Sequence, residues 1–177
     1  TIRRSGKELK RTISIDGSAY IGVFAISTES VLLLPSHTSD NLAMEMGRAL
    51  KVKALKTSVA ETSLIGCLAV GNSNGFIFTP YTLDSELQQV KDLVGSEGSG
   101  EKITRLPERD RLNAVGNVIL THDTVALFHP RLSANTVELV EQTLVVKVYK
   151  GTTGGLNTVW MASVATHKGI LAHRNAR

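Results

Sequence analysis

Cysteine, aromatic residues and long apolar runs are all scarce in this chain. A single cysteine, Cys67, excludes a disulfide framework and suits a reducing compartment. The longest apolar stretch, Leu64 to Val70, is far short of the ~20 residues a membrane helix needs, so no membrane partner is expected. Thr1 opens the chain with no charged-then-apolar leader, and the expectation is a processed or trimmed cytoplasmic protein. None of the five histidines pairs at the spacing of a zinc site, so no metal is expected. Neither Gly-x-Gly-x-x-Gly nor a P-loop occurs. Lys150-Gly151-Thr152-Thr153-Gly154-Gly155 lacks the P-loop order and reads as a plain turn, so no cofactor is expected.

What the chain does have is repetition. Ile21-Gly22, Ile65-Gly66 and Val115-Gly116 each open an apolar run that is broken by a polar turn and ends at or near Pro35, Pro80 or Pro130. The glycines stand 44 and 50 residues apart. A worn fourth copy spans Val159 to Arg174, with Trp160 at the glycine position and Arg174 at the proline position. Such a period marks one supersecondary unit copied several times.

Each unit reads as β-β-α-β. Short β-branched runs bounded by Gly, Asn and Pro predict a hairpin, with Asn72-Ser73-Asn74-Gly75 and Thr121-His122-Asp123-Thr124 at equivalent turns. A capped helix follows. Ser39 or Asp40 starts a segment with Leu42, Met46 and Leu50 on one stripe; Thr82 or Asp84 starts the second, and Ser133 or Asn135 the third. Val52–Leu55, Lys102–Thr104 and Val145–Tyr149 close the units as strands. At 42% hydrophobic, the chain can bury one core or a ring of small ones with common walls. Gly95-Ser96-Glu97-Gly98-Ser99-Gly100 reads as a flexible loop inside unit 2.

The domain division is a basic N-terminal arm, residues 1–11, and one repeat domain, 12–177, with units near 12–56, 57–104, 105–149 and 150–177. Arg3, Arg4, Lys7, Lys10 and Arg11 carry the positive charge of the arm, which has no aromatic residue and reads as flexible and solvated. Cys67 reads as a small buried hydrophobe inside a strand from Ile65 to Val70. His129 and His173 recur at one strand end, which points to a structural cap in the repeat.

Gly71-Asn72-Ser73-Asn74-Gly75, Leu112-Asn113-Ala114-Val115-Gly116-Asn117, Thr121-His122-Asp123 with Ala126-Leu127-Phe128-His129-Pro130, and Thr166-His167-Lys168-Gly169 resemble the translation initiation factor 6 family of archaea and eukaryotes. The resemblance runs from about Arg11 to Arg177. It implies the pentein fold, a pseudo-five-fold α/β propeller, of which about three and a half units are present here. An open arc leaves strand edges unpaired, so more chain is expected than these residues.

The resemblance also implies a non-enzymatic factor, monomeric off the ribosome. It would bind the large ribosomal subunit, beside the sarcin–ricin loop, through a ribosomal protein and neighbouring rRNA. There it would block small-subunit joining and take part in late large-subunit maturation. A eukaryotic source would add a nuclear or nucleolar location. The implied ribosome-facing residues are Asn72 and Asn117, read as matching points of units 2 and 3, with Gly116, His122, Asp123 and Cys67 beside them. Cys67 stands where some relatives place a basic residue. The alternative is a pentein-fold arginine-modifying enzyme, deiminase or amidinotransferase, with Cys67 as nucleophile.

Overall fold

Three times in succession the chain builds the same five elements. The computed structural model describes residues 2–5, 8–98, 100–109, 111–152, 163–166, 169–172 and 174. Strands β1 (Ile2–Ser5) and β2 (Glu8–Arg11) pair as a hairpin, where the sequence suggested a flexible arm. Unit 1 then has a one-turn helix α1 (Ile21–Phe24), strands β3 (Ile26–Ser27) and β4 (Val31–Pro35), helix α2 (Asp40–Leu50) and strand β5 (Lys53–Thr57). Unit 2 repeats this as α3 (Ile65–Leu68), β6 (Ala69–Asn72), β7 (Gly75–Phe78), α4 (Asp84–Glu97) and β8 (Lys102–Arg105). Unit 3 is α5 (Val115–Val118), β9 (Ile119–Thr121), β10 (Val125–Phe128), α6 (Ala134–Leu144) and β11 (Lys147–Lys150). Of unit 4, the antiparallel pair β12 (Ser163–Thr166) and β13 (Gly169–Ala172) is described; Trp160, the turn at His167-Lys168 and His173 lie outside the described residues.

Each complete unit is a three-stranded sheet, its first two strands antiparallel and its third returning parallel through the helix. The hairpins turn in two residues: Asn72 pairs with Gly75, Thr28 N–H donates to the Val31 carbonyl, and His122 N–H to that of Val125. Ser39 and Ser133 cap their helices by accepting from Leu42 N–H and Thr136 N–H.

The sequence reading needs correction in several places. Helix α2 turns Ala43, Met46 and Gly47 inward, and Leu50 is 51% exposed. The helical part of the Gly95–Gly100 segment runs to Glu97, since α4 ends at Gly98 in the left-handed region. Unit 2 begins its helix at Asp84, one of the two starts the sequence offered, but its N-cap position is Leu83, which makes no side-chain cap. Val145 stands in the left-handed region at the end of α6 (φ 52°), and β11 starts two residues later.

The repeated glycines pack closely near the axis, as their recurrence suggests, but not from strands. Gly22, Gly66 and Gly116 do not open strands; each is second in a one-turn helix. A Cβ on Gly66 would lie 1.8 Å from the Gly22 carbonyl oxygen, and one on Gly116 would lie 2.0 Å from that of Gly66. Successive units therefore touch backbone to backbone, which only glycine permits. Strand propensity in Ile-Gly and Val-Gly loses to this tertiary contact.

The core follows the period of two in the central strands. Val31 and Leu33 face a cluster with Phe76, Phe78 and α4, while Leu32 and Leu34 face one with Ala43 and Met46. In β7, Phe76 and Phe78 join the first of these and Ile77 joins a third cluster with Phe128, Val140 and Leu144. β4 and β7 are thus buried on both faces and each divides two cores, whereas β10 buries only Ala126 and Phe128.

A carboxylate substitutes for the missing cap of α4. Glu86, 5% exposed, accepts from Leu83 N–H at 2.9 Å and also from Ala60 N–H (2.9 Å) and Glu61 N–H (3.0 Å). Ala60 and Glu61 both have positive φ (52° and 59°), a strained pair for residues other than glycine, and the carboxylate holds their amides. Burial raises the Glu86 pKa, but hydrogen bonds from Ser58 and these amides outweigh it and set the carboxyl below its ordinary 4.5.

Two expectations follow from these contacts. Gly116→Ala should destabilise the fold by about 2 kcal/mol or more, lowering Tm by about 4 °C or more, because backbone cannot yield as a side chain can. Gly95→Ala, in an exposed helical turn with nothing within 4 Å, should stabilise by about 0.5–1 kcal/mol; thermal melts of both read the contrast. For Glu86, a depressed folded pKa gives stability that is present above the ordinary value and is lost as pH falls below 4.5 through the folded pKa. Glu86→Gln should cost about 1.5–3 kcal/mol at neutral pH and flatten the loss of stability on acidification, measured by denaturant titration across pH.

Candidate functional site

The pseudo-axis has two unlike ends. At one, α1 packs on α3 and α3 on α5, closed by the glycine contacts. From there β3, β6 and β9 run side by side to the hairpin turns at the other end, with β12 next to β9. The turns border a cavity of about 530 Å³ whose lining includes Thr28, Glu29, Asn72, Ser73, His122 and Asp123.

Asn72 and Asn117 are not equivalent. Asn72 ends the first strand of its hairpin and corresponds to Thr28 and His122. Asn117 is third in its helical turn and corresponds to Val23 and Cys67. The six residues singled out from sequence therefore separate into Asn72, His122 and Asp123 at the cavity end and Cys67, Gly116 and Asn117 at the closed end.

At the cavity end the polar groups join neighbouring units. Asn72 is 4% exposed, and its amide donates to the carbonyls of His122 (3.2 Å) and Leu144 (2.8 Å) while its Oδ1 accepts from Asn74 N–H (2.9 Å). Both amide hydrogens are taken and the side chain is buried, so Asn72 braces the seam between units 2 and 3. Asp123 accepts from Ser73 N–H and Ser73 Oγ, each at 2.9 Å. Asn74 adds a second bond to the Leu144 carbonyl (2.9 Å), and Lys102 Nζ donates to that of Gln142 (2.8 Å). Unit 2 thereby supplies the C-terminal cap of the unit 3 helix, with a cation where the helix dipole is negative. Between units 1 and 2, Ser30 Oγ donates to Glu101. The buried His129 accepts from Arg131 N–H through Nδ1 (3.1 Å), the structural cap its position suggested.

The closed end is arranged differently. Gly116 is buried there and serves the contact with Gly66. Asn117 is half-buried and hydrogen-bonds the thiol of Cys67, which lies in a helical turn and not in the expected strand. Burial raises the Cys67 pKa above its ordinary 9.0, an effect the bond from Asn117 only partly offsets, so the group is a thiol at neutral pH. The same end carries exposed side chains that sequence reasoning missed: Tyr20 (79% exposed), Leu64 and Tyr81 (59%). Tyr20, Leu64 and Ala114 precede the three helical turns, and Asn113 donates to Tyr81 Oη at 3.3 Å. Aligning the residue before each Ile-Gly or Val-Gly would have found the first two.

Among the described residues, no three His, Cys, Asp or Glu side chains group to hold a metal, and no helix is long and apolar enough to cross a membrane. Asn72→Ala should strand the Leu144 and His122 carbonyls partly unpaired, costing about 1–3 kcal/mol in a denaturant titration. A loss below about 0.5 kcal/mol would show that water replaces the amide there.

Translation initiation factor 6 of Methanosarcina acetivorans is 40% identical to the chain over 163 residues, which cover 92% of this chain and 70% of that one. The factor of the same name from Methanocella arvoryzae is 42% identical over 90% of this chain and 68% of its own, and that of Pyrococcus horikoshii 33% over 91% and 70%. Among solved structures, a C. jejuni agmatine deiminase covers 86% of this chain and 55% of its own at TM-score 0.44 and 13% identity, a likeness too weak to bear on activity. The profile described as the eIF-6 family matches residues 10–177, the whole repeat body with its glycine contacts and hairpin turns, and the chain belongs to that family.

Proposed function

We propose that this chain is a translation factor that docks the closed end of its axis on the large ribosomal subunit and by its bulk keeps the small subunit from joining. The observation that carries the reading is the half-buried Asn117 amide at the end of the axis where Tyr20, Leu64 and Tyr81 are exposed, on a support packed backbone to backbone. Aromatic side chains around a polar group that can both donate and accept are what a protein interface is built from. A rigid platform limits the ordering cost of docking. The relatives named translation initiation factor 6 support a role in translation, and the partner expected from the resemblance is a ribosomal protein near the sarcin–ricin loop, with rRNA beside it.

Blocking of this kind needs no chemistry, and the factor is expected to act as a cytoplasmic monomer off the ribosome, with late large-subunit maturation as a second task. The cysteine-nucleophile alternative requires a thiolate, and burial of Cys67 opposes one.

Asn117→Ser should weaken large-subunit binding roughly two- to tenfold, the loss of about 0.5–1.5 kcal/mol, with Tm nearly unchanged. Tyr20→Ala should weaken it about fivefold or more, since a solvent-facing ring adds little to the fold. Co-sedimentation with isolated large and small subunits, and a thermal melt of each variant, read both quantities. Unchanged affinity in both variants, or equal binding to small subunits, sinks the proposal.

A further inference from the structure

The hairpin β1–β2 stands apart from everything above. The family match begins at residue 10, inside β2, and among the described residues these two strands pair only with each other. Charge also sets it apart. The chain has 20 Lys and Arg against 16 Asp and Glu, a net charge of +4. Residues 1–11 hold five of those cations (Arg3, Arg4, Lys7, Lys10, Arg11) and one anion, Glu8. Residues 12–177 are left with 15 of each sign and are neutral, so the hairpin segment carries the whole excess.

Its register sets like charges against each other. In the backbone register Arg3 pairs with Lys10, with the Ile2–Arg11 and Arg4–Leu9 pairs on either side. Cations directly opposite on a strand pair destabilise it, and a lone two-stranded ribbon is marginal in water even without them. A polyanion along the ribbon removes the repulsion.

We propose that the β1–β2 hairpin is an RNA-binding element that holds the phosphodiester backbone, added to the neutral repeat body. Three of its five cations are arginines, whose planar guanidinium pairs with phosphate through two hydrogen bonds. It has no aromatic residue to seat in a lipid interface. The choice of RNA over other polyanions rests on the ribosome reading above. Contact with backbone alone gives affinity without sequence preference and a steep dependence on salt.

The test uses the full chain and a short RNA stem–loop, titrated by fluorescence anisotropy between about 50 and 200 mM KCl. The variant replaces Arg3, Arg4, Lys10 and Arg11 with Gln. It should bind at least about tenfold more weakly at the low-salt end, with a slope of log Kd against log salt shallower by about 3, near one unit per lost phosphate contact. A control removes the same charge from the body by replacing the exposed Arg48, Lys51, Lys91 and Arg131 with Gln, and should bind like the unmodified chain. Equal losses in the two variants, or no loss in either, overturn the proposal. So does binding to phosphatidylserine–phosphatidylcholine vesicles in the absence of RNA binding. The readout is free RNA, so its outcome separates from that of the docking reading. Should Asn117→Ser and Tyr20→Ala leave subunit binding intact while the hairpin variant loses RNA, the docking face is wrong and the hairpin stands.

Discussion

Three peptide backbones meeting at the axis decide the rest of this structure. The carbonyl of Gly22 occupies the space where Gly66 would carry a Cβ, and the carbonyl of Gly66 does the same to Gly116. An approach that close needs a helical turn rather than a pleated strand, because the turn brings one Cα against the next unit's carbonyl. Once the turns are set, β3, β6 and β9 leave the axis in parallel, and their hairpins reach the cavity end together. The third residue of each turn then lies beside its neighbour's, which is how Cys67 and Asn117 come into contact although 50 residues separate them. Candidate surface and scaffold are therefore one piece of geometry.

The period, hairpins, two serine caps and the buried central strands were legible because each is written in nearby residues. Four-residue helices were not: one turn is too short to show a helical period, and Ile, Val and Leu around a glycine argue locally for strand. Asn72 illustrates a second limit. Its place in a hairpin turn was readable, but the His122 and Leu144 carbonyls that consume its amide lie in the next unit. A polar residue at a turn looks available to a partner until the neighbour is docked against it. The α4 cap failed for a related reason, since Glu86 answers a strained turn more than twenty residues earlier as well as its own helix start.

The two ends of the axis divide labour by what they leave unsatisfied. At the cavity end, Asn72, Asn74, Ser73, Lys102 and Asp123 are spent on one another and on the end of α6. Burying such groups is tolerable because their partners are supplied across the seam. At the closed end the backbone is saturated by packing, while Tyr20, Leu64 and Tyr81 remain outside.

The alternation along β4 and β7 makes this chain behave as a row of dominoes rather than a string of beads. Unit 2 is bounded by buried clusters on both flanks, so a nick in β7 or the loss of α4 removes a face from each neighbour at once. Stability in such an arrangement is a sum over nearest-neighbour couplings, with the middle member holding the most. The amides of β7 should therefore be the last to open in native-state hydrogen exchange, and those of β12 and β13 among the first. No one unit can be lifted out as a fragment that keeps its shape.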